Sequence, residues 1–189
     1  ALARKMIDLK IVLWSVFFLV PTGRGQERDE VTAAEYEWVF NRLYDLSKSA
    51  PFDIKTTAAP HYRRVVLQRI KAERQRGEGR TGPTVGPGFS AGRDQVGRAA
   101  KGVNDGDGFV FISHTGEVYP SGFLPASGGN VRRESLVEVY RNSPLFRTLR
   151  DRDLLKGKCG ACEYKNVCGG SRARAYAVTG DSMESDPYC

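Results

Sequence analysis

Cysteine is absent from the first 158 of the 189 residues, and all four cysteines, Cys159, Cys162, Cys168 and Cys189, fall in the last 31. That distribution argues against the disulfide framework of a small secreted fold, which would staple the whole chain. No long apolar run is present either. The longest, IVLWSVFFLV at 11–20, falls short of the roughly 20 residues that a membrane helix needs. The segment PTGRGQ that follows it lacks the small-residue cleavage site of a signal peptide. Lys and Arg outnumber Asp and Glu by 29 to 22, a net charge of +7, yet no aromatic-interleaved basic patch or nucleic-acid motif accompanies the excess, so nucleic acid is not an expected partner. There are no internal repeats, and there is no initial Met, so the sequence is expected to be cut from something longer.

What is present is ordinary globular composition, 40% hydrophobic and 27% charged. Residues 1–10 read as the tail of a helix. The run at 13–20, rich in Val, Phe and Trp, fits a strand buried on both faces, as in a parallel sheet. A helix is expected over 33–48, with Thr32 and Glu35 at capping-box spacing and Tyr36, Val39, Phe40, Leu43 and Leu46 as its apolar stripe. A second strand at 52–56 and a helix at 62–73 complete two strand–loop–helix units of an α/β fold. Two such units do not close a parallel sheet. They read either as a small two-layer piece or as the end of a barrel that begins upstream. Residues 74–107, dense in Gly and Arg, are expected to be a linker or loop, because they hold too little apolar surface to offset ordering entropy. A hairpin at 109–112 and 117–119 and short helices at 136–141 and 145–150 follow, the last started by Ser143 and Pro144.

The four cysteines carry the chemistry. Cys159 and Cys162 form a C-x2-C pair, Cys168 follows after a five-residue loop, and Cys189 returns with 20 residues between. Thiolates take soft or borderline metals, and four of them suit tetrahedral zinc or an iron–sulfur cluster. Zinc ribbons show two C-x2-C knuckles where this chain has one, so the spacing favours the cluster. Gly169 and Gly170 allow backbone amides close to sulfur, and Arg172 and Arg174 can offset the charge of a thiolate-ligated group. Such a site belongs in a reducing compartment, and the cytoplasm is the expected one.

The stretches GFVFISHTGEVYPSGFLP (108–125), GNV (129–131) and CGACEYKNVCGGSRARAYAVTGD…DPYC (159–189) resemble the C-terminal extension of radical SAM enzymes of the SPASM/twitch type. The similarity is strongest to the branch of haem and haem d1 biosynthesis. LWSVFFLVPTGRG and FDIKTTAAPHYRRV resemble late strands of that family's partial (β/α) barrel with their loops. The resemblance implies three regions: the last β/α units of the barrel at 1–73, the Gly/Arg linker at 74–107, and a small α+β cysteine-rich auxiliary-cluster domain at 108–189. It also implies one auxiliary 4Fe–4S cluster on Cys159, Cys162, Cys168 and Cys189. Two departures limit it. Ser121 and Arg172 stand where a full SPASM extension carries further cysteines, and no C-x3-C-x2-C motif occurs anywhere. In the family that motif holds the second 4Fe–4S cluster, which cleaves S-adenosylmethionine, so both are expected only in a full-length enzyme. This chain alone is not expected to make the radical.

The resemblance further implies as partners the missing N-terminal part of the barrel, a small-molecule (tetrapyrrole) or peptide substrate, and an electron donor or acceptor such as ferredoxin or flavodoxin. A structural zinc module for protein or nucleic-acid interaction, and a stand-alone iron–sulfur electron carrier, stay open as alternatives. Arg24, in the loop after the first strand, is a candidate partner for a carboxylate of S-adenosylmethionine or substrate; a solvated Arg in a Gly-rich turn is the simpler reading. Lys55, His61 and Arg63 follow the second strand and are candidates for the substrate cavity, against the plainer reading of a helix start with surface arginines. No catalytic residue is assigned. His114 reads as solvated, Asp105–Gly108 as a turn, and Asp181 and Asp186 as turn residues behind the cysteines.

Overall fold

The computed structural model describes residues 2–77 and 103–189; most of the predicted linker, 78–102, lies outside the described residues. The chain divides into two units, one of Ala1–Phe18 and Val31–Gly102 and one of Leu19–Glu30 and Val103–Cys189.

The first unit contains α1 (Leu2–Asp8), β1 (Leu13–Phe17), α2 (Ala33–Ser47), β2 (Asp53–Thr57) and α3 (His61–Gln75). β1 and β2 pair in parallel, with Leu13 opposite Asp53 and Phe17 opposite Thr57. Among the described residues no third strand joins them. This corrects one expectation: β1 is not buried on both faces, and Phe17 is 53% exposed. Among the described residues β2 is its single strand partner, and along the strand burial begins only at Phe18.

α2 starts where the sequence indicates. Thr32 accepts from the Glu35 amide, and the Glu35 carboxylate accepts from the Thr32 amide at 2.8 Å, which satisfies two donors that the helix cannot. Its buried face presents Tyr36, Phe40, Leu43 and Tyr44. Phe18 lies 4.7 Å from the Tyr36 ring and 5.1 Å from Phe40, and Phe52, Ile54, Val65 and Val66 fill the rest. α2 and α3 are also tied by charge. Buried Glu73 accepts from the Tyr44 hydroxyl at 2.8 Å and from Lys48 at 2.5 Å, with Arg69 at 3.9 Å.

The second unit contains β3 (Phe111–Ile112), β4 (Val118–Tyr119), α4 (Leu136–Asn142), α5 (Pro144–Arg150), α6 (Gly157–Ala161) and α7 (Arg172–Thr179). The hairpin expectation holds: Phe111 faces Tyr119 and Ile112 faces Val118. The turn closes on Gly116, at φ +89°, a conformation that glycine adopts without steric cost. Val118, Val139 and Phe146 form the core beneath it. Ser143 caps α5 with Pro144 in its first turn. Residues 103–107, placed with the linker by composition, belong to this unit instead.

Burying Glu73 raises its pKa, but the hydrogen bonds from Lys48 and Tyr44 and the nearby Lys48 and Arg69 charges outweigh that and leave it lowered. A lowered carboxylate stabilises the fold above its unfolded pKa of about 4.3, and that contribution is lost as pH falls through the folded value. Glu73→Gln should therefore cost about 1–3 kcal/mol at pH 7. The gap from the unsubstituted chain should narrow by pH 3, as read by urea unfolding at both pH values.

Candidate metal centre

The cysteine loop is built on two short helices. Cys159 lies within α6, and Cys162 is the residue that ends it. The chain then turns back: the amides of Val167 and Cys168 donate to the Tyr164 carbonyl at 2.9 and 2.8 Å. Gly169 and Gly170 follow at φ +68° and +64° and lead into α7, where Ser171 accepts from the Arg174 amide. The tail after α7 carries Asp186 and Cys189. Cys159 and Cys168 are buried, Cys162 and Cys189 half-buried, and no disulfide joins them.

Three of the four sulfurs receive an N–H donor. The Tyr164 amide points at Cys162 Sγ (3.3 Å), the Gly170 amide at Cys168 Sγ (3.4 Å) and the Asp186 amide at Cys159 Sγ (3.5 Å). Arg172, with no solvent exposure, adds Nη2 at 3.6 Å from Cys159 Sγ, while its Nη1 donates to the Ser182 and Glu184 carbonyls at 2.8 Å. Arg174 does not share the role expected of it beside the sulfurs. It turns to Glu30 and Asp186 instead, at 3.0 and 3.1 Å. Asp186 is itself buried and accepts from the Ser171 and Tyr188 amides.

A segment that composition missed holds the loop from the other side. Asn104 Nδ2 donates to the Gly170 carbonyl at 2.7 Å. Asp105 accepts from the Ala173 amide at 2.9 Å, and Asp107 pairs with Arg152 at 2.9 Å. Asp105 and Asp186 thus set two carboxylates at the N-terminal end of α7, where free amides and the helix dipole favour negative charge. The only signal in the sequence was the Asn-Asp-Gly-Asp-Gly run, which indicates a turn and not its partner.

Burial pushes the Cys168 thiol up to about 12; the Gly170 amide opposes that, and the nearby Cys189, Cys159 and Asp186 add to it. Three of the cysteines are therefore electrostatic neighbours. Among the described residues, no three Cys, His, Asp or Glu side chains gather as ligands of a single metal ion. As donors the residues fit an iron–sulfur group: four thiols, amides aimed at sulfur, and a buried guanidinium.

A family profile described as an iron–sulfur cluster-binding domain, SPASM, matches residues 105–163. Over those residues the chain is similar to the SPASM domain. The match includes Cys159 and Cys162 and the Asp105–Asp107 turn that braces α7. Relatives extend the likeness beyond the SPASM domain. The chain is 46% identical to the AdoMet-dependent heme synthase of Methanosarcina barkeri over 96% of its own length and 49% of that protein. It is 37% identical to the pre-heme d1 synthase of Dinoroseobacter shibae over 47% of this chain and 23% of that one. With the PqqA peptide cyclase of Gluconobacter oxydans the identity is 34% over 64% of this chain and 34% of that one. The chain resembles the radical SAM enzymes of haem biosynthesis and spans about half the length of the curated relatives it matches along its whole extent.

The remaining candidates lie elsewhere. Arg24 is exposed, and Lys55 and Arg63 are half-buried. His61 is buried, its ring stacked 5.8 Å from Phe40 and edge-on to Tyr36 at 6.0 Å. No helix of the described residues is long and apolar enough to cross a membrane.

The two left-handed glycines beside the cysteines differ from the one ending α7. A Cβ on Gly170 would meet Arg172 Nη2 at 2.4 Å and Cys159 Sγ at 3.0 Å, whereas one on Gly180 would meet nothing within 4 Å. Gly180→Ala should cost only the left-handed strain, about 1–2 kcal/mol. Gly170→Ala adds overpacking and should cost about 2–5 kcal/mol in all. Parallel thermal unfolding of the two variants checks the difference.

Proposed function

We propose that this chain is the auxiliary-cluster portion of a radical SAM enzyme that modifies a tetrapyrrole, with Cys159, Cys162, Cys168 and Cys189 holding one 4Fe–4S cluster. The observation that carries the reading is the set of N–H donors already aimed at three of the four sulfurs. A single zinc needs four sulfurs around one point. The ligands of a cluster each bind a different iron and surround a cage. The likeness to heme synthases over nearly the whole chain favours a tetrapyrrole substrate over a peptide. When bound, the cluster supplies a one-electron donor or acceptor and, if one iron is left open, a point of attachment for substrate.

The protein's own part is to hold four thiols in place, to offset their charge through Arg172 and to keep water from Cys159 and Cys168. Lys55 and Arg63, and His61 if the aromatic cluster around it opens, are assigned to the substrate, where cations suit the propionates of a tetrapyrrole; Arg24 is assigned on its own to a carboxylate of S-adenosylmethionine or substrate. S-adenosylmethionine and its own 4Fe–4S cluster belong to the N-terminal barrel region, and electrons to a ferredoxin- or flavodoxin-like protein of the cytoplasm.

Anaerobic reconstitution with iron and sulfide tests the reading. The expected product is brown and holds about four iron per chain, and changing any of the four cysteines to Ser lowers that content. A colourless protein with one zinc overturns it in favour of a structural zinc module. A brown protein whose upstream coding sequence lacks C-x3-C-x2-C is instead a stand-alone electron carrier.

A further inference from the structure

Arg174 has no exposure to solvent and lies 12 residues before its partner Asp186 but 144 residues after Glu30. Its guanidinium makes at least four hydrogen bonds. Nε donates to the Leu19 carbonyl (3.1 Å) and to Glu30 Oε1 (3.0 Å), Nη2 to the Leu19 carbonyl (2.6 Å), and Nη1 to Asp186 Oδ2 (3.1 Å). The backbone amide of Arg174 donates separately to Ser171 Oγ (3.2 Å). The Tyr188 ring lies 5.9 Å from the guanidinium. The side chains of Glu30 and Asp186 are 1% and 0% exposed. Leu19 and Glu30 are the two ends of the segment Leu19–Glu30, which belongs to the cysteine-bearing unit. One side chain therefore fastens both ends of that segment.

The other end of the same network is a cysteine. Asp186, gripped by Arg174, sends its amide to Cys159 Sγ, and its carbonyl accepts from the Cys189 amide at 3.4 Å. We propose that Arg174 is a positioning residue that couples the 19–30 segment to the metal centre: loading the thiols fixes Asp186, and through Arg174 orders Leu19–Glu30. Within that segment, Thr22–Gln26 is tied by few local bonds, the Gly25 amide to the Thr22 carbonyl at 3.1 Å among them, and carries exposed Arg24. Its order is thus set from its ends. Coupling between sites is reciprocal, so a ligand held by the 19–30 segment changes the metal affinity of the thiols by the same factor.

This inference rests on the cluster reading above, and the test separates the two. Hydrogen exchange is followed by mass spectrometry on the full chain, metal-free and after anaerobic reconstitution with iron and sulfide, with the amides of α2 as reference. Exchange of the 19–30 amides should slow by about five-fold or more on loading, the lower end of an ordinary coupling. In Arg174→Gln the slowing should vanish in the iron-loaded protein, whose iron content is measured alongside. Glu30→Gln, which leaves Arg174 and Asp186 in place, should weaken it and serves where Arg174→Gln does not fold. A loaded chain whose 19–30 exchange is unchanged overturns the inference alone, as does equal slowing in the variants. A chain that takes up no iron overturns the cluster reading and this inference with it.

Discussion

The ion pair between Arg174 and Asp186 is the constraint on which the cysteine-bearing unit depends. Both side chains are withdrawn from water, and charges so placed stay charged only when their donors and acceptors are matched. Here they are. The guanidinium reaches two carboxylates and a carbonyl, and Asp186 also takes amides from Ser171 and Tyr188. Removing one member would strand the others, a loss on the order of 3–5 kcal/mol for a buried pair. From this pair the rest follows. Asp186 receives the Ser171 amide and so fixes where α7 begins; its own amide fixes Cys159; and Cys189 lies three residues on.

The Gly169–Gly170 pair meets a related constraint. Each occupies left-handed backbone, and the space a side chain would fill is already taken: Arg152 Nη1 lies 2.5 Å from a Cβ built on Gly169, and Arg172 Nη2 lies 2.4 Å from one built on Gly170. The glycines thus do two things. They turn the chain from Cys168 into α7, and they let two guanidinium groups approach the loop from either side. A larger residue at either place would force a choice between the turn and the arginine.

Features that depend on near neighbours were legible in the sequence. The capping box of Thr32 and Glu35, the Ser143–Pro144 start of α5 and the hairpin around Gly116 each answer to residues within a few positions. The parallel pairing of β1 with β2 was legible as strand–helix–strand grammar. What was missed depends on distant partners. β1 has the composition of a doubly buried strand, yet composition does not say whether a second partner is present, and Phe17 faces outward. Asn104 falls in the linker by composition, but its side-chain amide is spent on a carbonyl 66 residues away. Arg174 seemed available to the thiols, and only the fold brings Glu30 to it across 144 residues. Arginine is a poor candidate for full burial from composition alone, so nothing local indicated that two of them would be core residues.

The order of these arrangements bears on what the thiols are for. A neutral thiol is a weak acceptor, and burial holds Cys168 neutral in the metal-free protein. Yet amides and a guanidinium already point at the sulfurs, and Asn104 and Asp186 hold those donors from behind. Donors fixed in this way gain little from thiols and much from thiolates, for which charge-assisted bonds are roughly twice as strong. The arrangement therefore favours a species that takes the thiol protons and leaves negative sulfur behind, as a thiolate-binding metal group does. For Cys168, deprotonation is opposed by burial and favoured by the Gly170 amide. At Cys168 burial thus disfavours a free thiolate, while the Gly170 amide favours a sulfur that carries charge.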